Sequence, residues 1–235
     1  MAGMKIDKVE LAAPEVLLED LETFYRTQLH IPVVYDDSRL RLQIGHGTII
    51  FHPVTAERDP FYHFAFLVPG NRFAAAYSWL ADRVEILAEI DSQNTVIDFA
   101  SLNAQACYFH DPAGNIVELI AHRGIAESAT PDAAFSADEL VGVSEIGLVT
   151  PDKPQAARAL DETLGLTVWQ GELHRSDKLA FLGRQAHTLI LATPGRGWLP
   201  TGRPAEAHPV RVDVTGARPG HINLANARYQ VRGLT

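Results

Sequence analysis

The stretch Phe109-His-Asp-Pro-Ala-Gly-Asn-Ile-Val-Glu118-Leu-Ile120 carries the most structural information in the chain. Asp111 to Asn115 is a turn with a mechanism: Pro112 presets φ, and Gly114 permits positive φ. Beyond the turn, Ile116, Glu118, Ile120 and His122 alternate with Val117, Leu119 and Ala121, which is the period of a strand. A carboxylate therefore shares a face with isoleucines. If that face is buried, the carboxylate must be paired with a cation or bound to a metal, because an isolated charge is costly there.

Outward from this stretch, residues 62–68 read as a strand in which His63 leads an apolar run. Pro69-Gly70-Asn71 is a turn, 73–80 a helix, and 84–87 and 104–109 are strands. Residues 5–12 alternate, with Ile6, Lys8 and Glu10 on one face and Val9 and Leu11 on the other. Leu18, Leu21, Phe24 and Tyr25 recur at helical spacing. Three short strands follow at 33–35, 40–44 and 47–52, divided by Asp36-Asp37-Ser38 and Gly45-His46-Gly47. A strand-helix-three-strand unit thus occurs twice. Ser144-Glu-Ile-Gly-Leu-Val-Thr-Pro-Asp then echoes Asp7-Lys-Val-Glu-Leu-Ala-Ala-Pro-Glu, and His187-Thr-Leu-Ile-Leu-Ala-Thr-Pro echoes His46-Gly-Thr-Ile-Ile-Phe-His-Pro. A fourth copy opens at Pro209 but is abbreviated, with no second Asp-Pro-x-Gly-Asn turn. The expected organisation is 1–123 as one domain of two modules, 124–140 as a linker, and 141–235 as a third module with a shortened fourth.

The chain has 235 residues and a net charge of −9. An acidic chain repels phosphate backbones and anionic lipid, so neither nucleic acid nor a membrane surface is an expected partner. Cys107 is the only cysteine, which excludes an intrachain disulfide and a CxxC zinc site and fits a reducing compartment. Cys107 itself reads as a small buried hydrophobe. No segment approaches the roughly 20 apolar residues of a membrane span, and the N-terminus lacks the apolar run of a signal peptide. The expectation is a cytoplasmic protein.

The 109–120 turn and strand, the strand led by His63, and Phe24-Tyr25 before Leu29-His30-Ile31 together resemble the vicinal oxygen chelate superfamily. That group includes glyoxalases, extradiol dioxygenases and bleomycin-resistance proteins. The resemblance is strong over residues 5–123, moderate over 141–216, and fades towards 235. It implies an α+β fold of repeated βαβββ modules, forming curved, cup-like mixed sheets with helices on the outer face. It also implies one divalent metal in the cup (Fe, Mn, Zn or Ni), on which a small molecule with adjacent oxygens is held.

By the same resemblance, Glu118 takes the glutamate ligand position and is the residue expected to serve catalysis. His63 takes the histidine position of the fifth strand. At the first-strand position the sequence departs, because Lys8 stands where metal-binding members usually have histidine. A protonated lysine repels a divalent ion. Glu10, on the same face, could replace it as an oxygen ligand. His52 is the expected third ligand, with Phe51 the alternative if the register is one residue off. Lys8 and His122 are expected to line the cup, although His122 also fits a surface strand end and Lys8 fits solvent exposure. In the third module Glu145 matches the first-strand position, but Pro209 occupies the matching fifth-strand position. No partner for Glu118 is therefore expected there. The C-terminal part reads as a degenerate copy with a structural, substrate-covering or dimer-forming role, and Trp198 sits in a loop able to cover a ligand.

Two functions follow. One is a metal-dependent lyase, isomerase or dioxygenase. The other is a metal-free small-molecule binder of the bleomycin-resistance type, which Lys8 favours. A homodimer is compatible with either.

Overall fold

The computed structural model describes residues 3–36, 38–55 and 59–235 and shows four successive modules. The first comprises β1 (Lys5–Pro14), α1 (Leu18–Thr23), β2 (Val33–Asp36), β3 (Arg39–Ile44) and β4 (Gly47–Val54). Of its Asp36-Asp37-Ser38 turn, Asp37 lies outside the described residues. The second comprises β5 (His63–Val68), α2 (Phe73–Ala81), β6 (Ile97–Phe99), β7 (Ala104–His110) and β8 (Ile116–His122). The third comprises β9 (Gly142–Val149), α3 (Lys153–Leu164), β10 (Val168–Gly171), β11 (Ala180–Arg184) and β12 (His187–Ala192). A short hairpin, β13 (Gly197–Trp198) and β14 (Arg203–Pro204), precedes the fourth. That module has only β15 (Val210–Thr215), β16 (Gly220–Leu224) and β17 (Tyr229–Gly233), with no helix.

One pairing rule repeats in every module. The opening strand runs parallel to the closing strand: β1 with β4, β5 with β8, β9 with β12, and β15 with β17. A parallel pair needs a crossover, and the helix supplies it in the first three modules. Residues 84–87, read as a strand from sequence, make only a single bridge from Leu87 to Tyr108. The edge strand is β6 instead. Val84 and Ile86 are partly buried against the core as loop residues, and three-residue β6 is too short to show a period.

The modules do not pair in chain order. β5 joins β9 antiparallel, and β1 joins β15 antiparallel. The second and third modules therefore form one cup, and the first and fourth form another. The two halves meet where Ile6 pairs with Val143. The two modules expected as one domain over 1–123 do not close a cup with each other, because no strand pairing among the described residues joins β1–β4 to β5–β8. All four opening strands alternate alike, so the sequence period could not choose between partners.

A large apolar core lies between the sheet and its helices, with Leu21, Tyr25, Trp79 and Leu160 packed on Phe51, Phe64, Phe66 and Leu189. Ile6 belongs to this core with Val9 and Leu11, not to the face of Lys8 and Glu10 as the alternation implied. The β1–β15 register shifts between Ile6 and Lys8, and this bulge reverses the facing of everything before it. A second apolar cluster, including Ala65, Tyr108, Ile116, Ile120, Ile190 and Trp198, fills the inside of the cup built by modules two and three. The linker is ordered around Arg72, whose guanidinium pairs with Glu139 and donates to the carbonyls of Pro131 and Ala133.

Candidate metal centre

The Asp111–Asn115 turn sets the geometry of the site. Asp111 Oδ1 accepts from the backbone N–H groups of Ala113 and Asn115, at 3.0 Å each. Its Oδ2 accepts from the Tyr25 hydroxyl and from Asn115 Nδ2, both at 2.8 Å. Asn115 Oδ1 in turn accepts from Tyr62 N at 2.8 Å. These bonds lock the start of β8 beside the start of β5 and bind both to the first helix. His63 then stands opposite Ile116, and Ala65 opposite Glu118.

His63 and Glu118 both point into the cup, with Nε2 and Oε2 3.4 Å apart and both side chains buried. A third group joins them. Glu145, on β9, is buried beside Glu118, and one ligand atom from each of the three residues lies within 4.8 Å of the others. Sequence reasoning noted Glu145 but assigned it no role, because it sought a partner module in chain order. The signal was present: His63-Phe-Ala-Phe-Leu-Val-Pro69 and Glu145-Ile-Gly-Leu-Val-Thr-Pro151 are the same strand in consecutive modules. The position matching Glu118 in the third module is Ile190, opposite Gly147 as Glu118 is opposite Ala65. Three of the four equivalent places thus carry ligand-type side chains, and the fourth is apolar.

The protonation pattern is compatible with a bound cation. His63 Nδ1 lies 3.1 Å from the carbonyl oxygen of Ile116, which can only accept. Nδ1 therefore carries the proton, and the Nε2 lone pair faces Glu118. Burial is the main cause that lowers the imidazole pKa, to about 4, so it is neutral at ordinary pH. Glu118 is pushed well above the usual carboxylate range by burial and then by the charge of Glu145, against a hydrogen bond from Tyr108. Burial pushes Glu145 up to about 7. Glu145 Oε1 is buried with no hydrogen-bond partner among the described residues. A lone pair and two carboxyl groups that face one another fit a divalent ion. The 4.8 Å spread is close to the span of ligands around one ion at bond lengths of about 2.0–2.2 Å.

The three residues form the floor of a cavity of about 440 Å³. Its walls include Phe99, Tyr108, Phe181 and Trp198, with Arg196 and Gln170 among the polar groups. The Trp198 ring lies 4.9 Å from the His63 ring, inclined by 38°. Gly147 makes room for it: a Cβ there would stand 2.8 Å from Trp198 Cη2.

Lys8, Glu10 and His52 are not part of this site. They occupy the other cup, where Lys8 Nζ lies 2.7 Å from Glu10 and 3.1 Å from Asp213. His52 Nε2 lies 2.9 Å from Glu10, and Arg232 pairs with Asp213 at 2.6 Å. The first-strand positions of that cup carry Lys8 and Arg211, so fixed cations stand where the other cup has ligands. Glu10 and His52 as ligands beside His63 and Glu118 are thus corrected by the pairing of β1 with β15. His122 is fully buried, with Nδ1 3.1 Å from the carbonyl oxygen of Leu102, and it does not line the cavity. Cys107 is buried against the helices, and burial holds its thiol pKa at about 12.

Comparison with solved structures places the architecture. A candidate dioxygenase from Bacillus subtilis subsp. subtilis str. 168 superposes with a TM-score of 0.61 over 98% of this chain and 85% of that one, at 15% identity. Glyoxalase I from Zea mays superposes with a TM-score of 0.51 over 90% of this chain and 74% of that one, at 13% identity. The chain has the vicinal oxygen chelate fold. A family model described as toxoflavin-degrading enzyme matches residues 143–196, a span that contains Glu145 and Ile190. No curated protein sequence matches the chain. No helix among the described residues is long and apolar enough to cross a membrane.

Proposed function

We propose that this protein is a divalent-metal-dependent enzyme acting on a small molecule with adjacent oxygens, and that His63, Glu118 and Glu145 hold the metal. One observation carries the reading: three buried ligand groups from three strands converge on the floor of a cavity, and one carboxylate oxygen has no other partner among the described residues. Three protein ligands leave coordination positions open for a substrate, and the apolar Ile190 on the fourth strand does not compete for them. Two carboxylates with one imidazole make an oxygen-rich set, which moves preference from Zn and Ni towards Mn and Fe(II). When bound, the ion supplies Lewis-acid stabilisation of charge on the substrate oxygens.

The chain's own groups do the rest. The Ile116 carbonyl fixes the imidazole tautomer, Tyr108 stands opposite Glu118 on the neighbouring strand, and Trp198 covers His63 and excludes water from one side. The metal-free binding reading rested on Lys8, and Lys8 lies in the other cup.

Metal analysis and titration of protein purified without chelator test the proposal. We expect one divalent ion per chain. His63→Ala, Glu118→Gln and Glu145→Gln should each weaken it by more than about 100-fold, since even outer-shell changes cost 10–100-fold. Equal metal content in the wild type and all three variants would end the reading.

A further inference from the structure

Arg196 is the group in the cavity that the metal-centre reading does not use. It lies just before Trp198, half-buried in the cavity wall, with Cζ 6.0 Å from the centre of the indole ring. Its Nη1 donates to the Gly197 carbonyl at 2.9 Å, and its Nε makes a long contact of 3.4 Å to the Asp177 carbonyl. No ion pair to a carboxylate is found for it among the described residues. The nearby carboxylate, that of Asp177, is already held by Arg175 through Nε at 3.1 Å and Nη2 at 2.6 Å. Arg196 therefore brings an uncompensated, permanent positive charge to the cavity. Burying such a charge is costly unless something pairs with it.

The charges at the floor sharpen the point. A divalent ion balances Glu118 and Glu145, and His63 is neutral. Glu172 and Lys178, exposed at the rim, have opposite signs. The loaded cavity then has one positive charge in excess, and Arg196 carries it. The walls meanwhile present the faces and edges of Phe99, Tyr108, Phe181 and Trp198, surfaces suited to stacking on a flat ring.

We propose that Arg196 anchors an anionic group of the substrate, and that the substrate class is a planar aromatic or heteroaromatic acid. It would carry adjacent oxygens at the metal-facing end and a carboxylate or ionised hydroxyl at the Arg196 end. This rests on the metal-centre reading above. A guanidinium suits the role because its planar fork of donors matches a carboxylate, and its Nη2 makes no hydrogen bond among the described residues.

The test uses two probes of one shape, 3,4-dihydroxybenzoate and 3,4-dihydroxybenzamide, titrated against the metal-loaded full chain by tryptophan fluorescence. Metal content is measured first on every variant. Wild type should bind the carboxylate at least about tenfold tighter than the amide, the scale of one charge-assisted hydrogen bond. Arg196→Gln should lose that preference while keeping its metal and its affinity for the amide, and Arg196→Lys should keep part of it. Equal binding of the two probes by wild type, binding of neither, or equal loss of both in Arg196→Gln would overturn the inference while leaving the metal centre intact. A wild-type chain that holds no metal would overturn the proposed function, and the inference with it.

Discussion

Glu145 is the residue whose titration tests the proposed metal site most directly. Burial raises its pKa to about 7 from an ordinary 4.5, so the metal-free folded chain takes up a proton there that the unfolded chain does not. The stability this proton contributes is complete below about pH 4.5 and is lost as pH rises through about 7. Metal-free protein should therefore melt several degrees lower at pH 8 than at pH 5. Glu145→Gln, which keeps the shape and removes the titration, should reduce that difference, and saturating Mn should offset it because the ion binds the charged form. Melting curves of the metal-free wild type and Glu145→Gln with the same pH slope would contradict this account. Glu145 was visible in the sequence as an acidic residue at a first-strand position. Its role was not, because the strand it faces comes from the module before it.

At the scale of elements, two residues outside the His63, Glu118 and Glu145 cluster shape the cavity. β9 carries Gly147, and the indole of Trp198 occupies the space a side chain there would need. Gly147→Ala should displace Trp198, weaken binding of the dihydroxybenzoate probe by about three- to tenfold, the scale of a lost aromatic contact, and leave metal content unchanged. Loss of metal instead would show that the strand itself had moved. The loop after β10 depends on a buried lysine at the start of α3. Lys153 Nζ donates to the carbonyl oxygens of Glu172 and Arg175 at 2.8 Å each and of Lys178 at 2.5 Å. Lys153→Met removes three charge-assisted bonds. It should cost about 1–3 kcal/mol and speed amide hydrogen exchange across 172–178, a loop that borders the cavity. Unchanged exchange in that loop would mean that the lysine does not hold it. The helical stretch at 73–80 was legible after the Pro69-Gly70-Asn71 turn. The edge strand β6 was not, since three residues carry no period.

Across the whole molecule, the same architecture is used twice with opposite electrostatics. One cup gathers His63, Glu118 and Glu145, the proposed metal ligands. In the other, Lys8, Arg211 and Arg232 surround Glu10 and Asp213, so the acids are already neutralised by fixed side chains. The metal stoichiometry should accordingly be one per chain rather than two. Lys8→Met should destabilise the chain by no more than about 1 kcal/mol, because His52 and Arg211 still pair with Glu10 and Arg232 with Asp213, while metal affinity at His63 stays as in wild type. Lys8→His should not strengthen that affinity either. Denaturant melts paired with metal titration of both variants check this, and a change in metal affinity at the first cup would show that the two halves are coupled.

The modules themselves were determined by the sequence alone. Strand period, turn residues and the echoed segments are local properties, and each places a strand-helix-strand unit without reference to the rest of the chain. The strand positions of His63 and Glu118 were legible for the same reason: both lie in one module, where Asn115 of the Asp111–Asn115 turn accepts from the N–H of Tyr62, next to His63. Only the tertiary structure decided which module faces which. Four opening strands with the same alternation offer four similar edges, and the choice among them depends on the bulge between Ile6 and Lys8, on the charge carried at each edge and on packing against the helices. That choice put Glu145 beside Glu118 and sent Lys8, Glu10 and His52 to the other cup, because side chains on strands far apart in the chain meet only after the sheets have closed.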